Sequence, residues 1–80
     1  MNKRQEALRQ HTVELSIEIH DLEKAAAALR QAIHTSYSLG AAPEFVDGLD
    51  TTLASIRSRI SQLESLRSER LRELETRIPA

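Results

Sequence analysis

An all-α fold, a two-helix antiparallel hairpin of coiled-coil type, is predicted by three features of this sequence. Apolar residues recur every seven positions through two long segments. Gly and Pro come together at only one place, a short break between those segments. The composition is dominated by Ala, Leu, Glu, Arg, Gln and Ser, residues that favour helices. One small domain spanning residues 1–80 is expected from the length.

The first helix is predicted over about residues 3–39. Its seam carries Leu8, Leu15, Leu22 and Leu29 at one position of the repeat, and Thr12, Ile19, Ala26 and Ile33 at the other. The break follows as Leu39-Gly40-Ala41-Ala42-Pro43-Glu44, with the turn proper at 40–42. Gly40 suits the left-handed residue that closes a helix. Pro43 suits the first position of the next helix, and its ring keeps Ala42 out of the helical region. Glu44 and Asp47 then stand in the first turn, where the helix dipole favours negative charge.

The second helix is predicted over about residues 43–78, stopped by Pro79. Val46, Leu49, Leu53, Ile56, Ile60 and Leu63 form its seam. Beyond Leu63 the apolar spacing drifts to Leu71, Leu74 and Ile78, with Arg67 and Arg70 on or beside that face. Gly48, inside the helix, costs about 1 kcal/mol relative to Ala. Its position beside the turn suggests a close approach to helix 1. Two helices of roughly 50 Å, at 1.5 Å per residue, joined by so short a loop must lie antiparallel.

Composition excludes several function classes. Lys plus Arg number 11 and Asp plus Glu 12, so the basic excess of a nucleic-acid binder is missing. The same balance gives little attraction to an anionic membrane. No apolar run approaches a membrane span, and Met1-Asn2-Lys3-Arg4-Gln5-Glu6 runs into no long apolar stretch, so no signal peptide is expected. A cysteine-free chain holds no disulfide framework and fits a reducing cytoplasm.

Residues suited to chemistry are few. His11, His20 and His34 are the only histidines, and none lies three or four positions from another, as one metal ion on one helix needs. They are read as solvated surface residues. No nucleophile elbow, phosphate-binding glycine loop or zinc-protease motif is present. Leu49, Asp50, Leu53, Ile56, Arg57 and Arg59 are loosely similar to the first helix of small all-helical chorismate mutases. Those enzymes surround a dianion with cations from three helices, whereas two helices are predicted here and helix 1 has no basic residue in mid-seam. The expectation is therefore no enzyme, no cofactor, no metal and no small-molecule substrate.

Binding to another protein is better supported. Val13 and Ile17 are one turn apart and point nearly opposite to the Leu15–Leu22–Leu29 seam. Such a pair gains little on a bare helix face. It continues into Ala27, Ala28 and the stem of Lys24, as a contact surface would. Leu66, off the edge of the helix 2 seam, and Arg67 are further candidates. Arg67 either snorkels past the end of helix 1 or meets an acidic group on a partner. Ser55, Ser58, Ser61, Ser65 and Ser68 line one flank of helix 2, as a solvated face or as a seat for a partner helix. The arginines and glutamates around them are mixed in sign, as on a solvated helix. So small a unit is expected to dimerise or to need a partner.

The stretches Leu29-Arg30-Gln31-Ala32, Gly40-Ala41-Ala42-Pro43-Glu44-Phe45, Leu49 and Ile60-Ser61-Gln62-Leu63 carry a likeness to a family. Across residues 22–66 the chain resembles the small YscE-like co-chaperones of bacterial type III secretion. Its tail after Leu66, an Arg/Glu run, is longer than that likeness accounts for. The resemblance implies a cytoplasmic co-chaperone that binds and stabilises a larger chaperone built of helical repeats. Together they would keep a needle subunit from polymerising before export. The rival expectation is a structural homodimer, a four-helix bundle of two hairpins, or an adaptor with no secretion role.

Overall fold

The computed structural model describes residues 3–76. It is a hairpin of two helices, α1 (Lys3–Ser38) and α2 (Pro43–Thr76). The helices pack along their length into a rod of 60 × 16 × 14 Å. Expected and observed boundaries differ little. Helix 1 ends at Ser38, with Leu39 as its cap. The predicted end of helix 2 at Ile78 and its stop at Pro79 lie outside the described residues.

The turn follows from the backbone chemistry of its residues. Gly40 has φ +72°, the left-handed conformation that glycine adopts without a Cβ penalty. The Ala41 amide donates to Ser36 O at 2.9 Å and the Gly40 amide to Tyr37 O at 3.1 Å. These two bonds are the Schellman closure, and they satisfy carbonyls that the helix end would otherwise leave open. Ala42 precedes Pro43 and caps α2, accepting from the Phe45 and Val46 amides through its carbonyl at 3.0 and 3.3 Å. An alanine at this position offers no side-chain acceptor to the first-turn amides.

The core is one seam wide. Leu15, Ile19 and Ala26 of α1 and Val46, Leu53 and Leu63 of α2 are its buried apolar residues. Leu8, Leu22, Leu29 and Ile33, with Leu49, Ile56 and Ile60, are half-buried beside them. The tightest cluster is Leu15, Ile19 and Leu63, with Leu22, Ile60 and Leu66 packed against it. Thr12 occupies a seam position, and its hydroxyl donates to Leu8 O at 2.8 Å, so a polar residue enters the seam already satisfied.

Three expectations need correction. Helix 2 does not drift off its seam after Leu63. The seven-residue repeat continues through Arg67, Arg70 and Leu74, all half-buried, while Leu71 is exposed. An antiparallel pair wound at 3.5 residues per turn keeps one stripe facing its partner, and long arginine stems can cover that stripe while their heads reach water. Leu66 flanks that seam but is not left bare for a partner, since it packs half-buried against the core cluster. Gly48 makes no close approach, since a Cβ there would meet nothing within 4 Å.

Stability should respond accordingly. Gly48→Ala should stabilise the hairpin by about 1 kcal/mol, because Ala removes the glycine penalty at no steric cost. Ala42→Ser should add about 1 kcal/mol by capping the first turn of α2. Leu63→Ala should cost about 3 kcal/mol through the cavity it leaves. Urea unfolding followed by circular dichroism measures all three. A destabilised Gly48→Ala would mean that another chain approaches that backbone.

Candidate partner-binding surface

The outer face of α1 is set by the seam on its other side. At 100° per residue, burying Leu15, Leu22 and Leu29 turns Val13 and Ile17 away from α2. The structure leaves Val13 49% and Ile17 57% exposed. Ala27, Ala28 and Lys24 continue the face and are exposed. Glu6, Arg9 and Gln10 precede Val13 on the same side, and with Lys3 and Ala7 they line a shallow depression running up to it.

Charges flank this apolar pair. Glu14 accepts a hydrogen bond from Gln10 Nε2 at 3.3 Å. Glu18 lies 3.7 Å from Arg59 Nη2 of α2, both side chains about half exposed. That pair ties the helices at the edge of the seam, but an exposed ion pair contributes little to stability.

The other two candidates spend their contacts inside the hairpin. Leu66 is half-buried against Leu15, Ile19 and Leu63. Arg67 Nη1 donates to Ser16 Oγ at 3.3 Å, bridging α2 to α1. It does not project past the end of helix 1, and this bond ties it to α1. Arg70, one turn on, pairs with Glu73 at 3.1 Å. Of the four candidates, Val13 and Ile17 are the exposed ones and Leu66 and Arg67 are half-buried.

Other residues resolve as follows. Ser55, Ser58, Ser61, Ser65 and Ser68 are all exposed. His20 and His34 are exposed, whereas His11 is half-buried at the edge of the seam. Among the described residues no three His, Asp or Glu side chains are grouped to hold a metal ion. No helix among them is long and apolar enough to cross a membrane.

A second apolar region was missed in the sequence. Tyr37, Leu39 and Phe45 bracket the turn and are 68%, 81% and 58% exposed. They include both aromatic residues of the chain. The available signal was their register: Tyr37 falls outside the Leu29–Ile33 stripe and Phe45 outside the Val46–Leu49–Leu53 stripe. Beside a Gly/Pro turn, off-stripe aromatics have nothing of their own chain to pack on.

Compared with protein-family models, with curated proteins and with solved structures, the chain matches none of them.

Exposure makes a direct prediction for the turn. Tyr37→Ser and Phe45→Ser should each change hairpin stability by less than about 0.5 kcal/mol, as surface substitutions do. Thermal unfolding of the purified chain checks this, and a loss several times larger would show that these rings pack in solution.

Proposed function

We propose that this hairpin is a protein-binding subunit whose contact surface is the outer face of α1. The observation that carries the reading is the exposed Val13–Ile17 pair, placed opposite a seam that α2 already fills.

The likeness of residues 22–66 to type III secretion co-chaperones gives the reading its specific form. On that basis the hairpin binds and stabilises a helical-repeat chaperone in the bacterial cytoplasm, and through it helps hold a needle subunit before export. A straight two-helix rod suits this task, since its outer face can lie along the stacked helices of a repeat protein. Its role is then to cover a groove on the chaperone, with no chemical step.

Purification from the native host tests the reading. The wild-type chain should bring down a helical-repeat chaperone and a needle subunit in stoichiometric amounts, identified by mass spectrometry. The Val13→Asp/Ile17→Asp double variant should keep its helical circular dichroism, because neither side chain touches the seam. Its affinity for the chaperone should fall at least about a hundredfold, because unpaired charge buried in an interface costs several kcal/mol. Undiminished binding by a folded double variant would remove the outer face of α1 as the contact.

A further inference from the structure

We infer that, when no other protein covers it, the outer face of α1 pairs with the same face of a second copy, antiparallel, about a twofold axis midway between Val13 and Ile17. The inference rests on the reading that this face is the contact surface, and it adds an occupant and a register.

Charge placement selects both. Val13 and Ile17 straddle position 15, and Glu6 and Lys24 lie nine residues to either side of it. The eighteen-residue separation of Glu6 and Lys24 is five full turns, so they share one line along the helix, and that line passes between Val13 and Ile17. Antiparallel pairing about position 15 therefore brings Glu6 of one copy level with Lys24 of the other, twice by symmetry. In the centre, Val13 of each copy meets Ile17 of the other. Within the hairpin neither Glu6 nor Lys24 forms an ion pair, so both are available among the described residues.

Shape agrees with charge. The depression lined by Lys3, Glu6, Ala7, Arg9, Gln10 and Val13 is made of two successive four-residue holes on one helix face. Such holes accept side chains of a facing helix. In this register the second copy's Lys24 enters beside Glu6, and its His20 and Asp21 enter beside Arg9 and Gln10. A parallel pairing would instead stack Glu6 on Glu6 and Lys24 on Lys24. Symmetric closure also makes the assembly a dimer and not a fibre. The interface is small and rimmed by charge, so it is a contact that a better-fitting partner can displace.

Sedimentation equilibrium on the full chain should show a monomer–dimer equilibrium. Glu6→Lys and Lys24→Glu should each weaken the dimer about tenfold or more, and the double exchange should restore it to within about threefold. The chain has no cysteine, so register can be read by cross-linking. An equal mixture of Val13→Cys and Ile17→Cys chains should form the 13–17 disulfide faster than either variant alone forms its own. Circular dichroism confirms that each variant is folded. A monomer at every concentration, a double exchange that restores nothing, or preferential 13–13 and 17–17 disulfides would each overturn the inference. If the chain is monomeric yet Val13→Asp/Ile17→Asp still loses the chaperone, self-pairing fails and the binding reading stands. If the dimer forms in this register and that variant keeps the chaperone, the reverse holds.

Discussion

One seam of apolar side chains, repeated every seven residues on two antiparallel helices, is what everything else in this structure depends on. It fixes the rotation of α1 and α2 about their axes, and so decides which side chains face outward. It is also narrow. Its tightest cluster is Leu15, Ile19 and Leu63, with Leu22, Ile60 and Leu66 beside it. Away from the turn the seam becomes polar, with Thr12 bonded to its own backbone and Arg67 bonded to Ser16. A fold with so little interior leaves more than half of each helix in water.

The architecture was legible in the sequence because each signal had a local cause. The Leu8–Leu15–Leu22–Leu29 repeat can be buried in only one way on a helix. Gly40 and Pro43 have conformational preferences that suit one end of a helix and the start of the next. The structure places both where those preferences put them. What the sequence hid depended on the second helix. Arg67 and Arg70 look like breaks in an apolar pattern, but the geometry of a wound pair carries the seven-residue register through them. Leu66 looked surplus for the same reason, since the cluster it packs on is completed by Leu15 and Ile19 of the opposite helix. Gly48 looked like a site of close approach, and that idea required a neighbour that one sequence cannot place.

The candidate surface was partly legible. Val13 and Ile17 stood out because they oppose the seam on the same helix, which a wheel alone shows. The apolar tip formed by Tyr37, Leu39 and Phe45 did not, because attention to the turn falls on its Gly and Pro and not on the residues beside them. The two regions lie far apart on a 60 Å rod. A second copy paired about Val13 and Ile17 would cover only the first.

These features support one proposal: the hairpin held by the two-helix seam gains further stability from another chain lying along α1. The most direct measurement is thermal unfolding of the purified chain by circular dichroism at two concentrations a hundredfold apart. Folding linked to association makes the midpoint rise with concentration. That rise is the expected result, with the dilute sample folded but melting at the lower temperature. A midpoint that does not move, and lies well above about 60 °C in both samples, beyond the usual range for small domains, would contradict it.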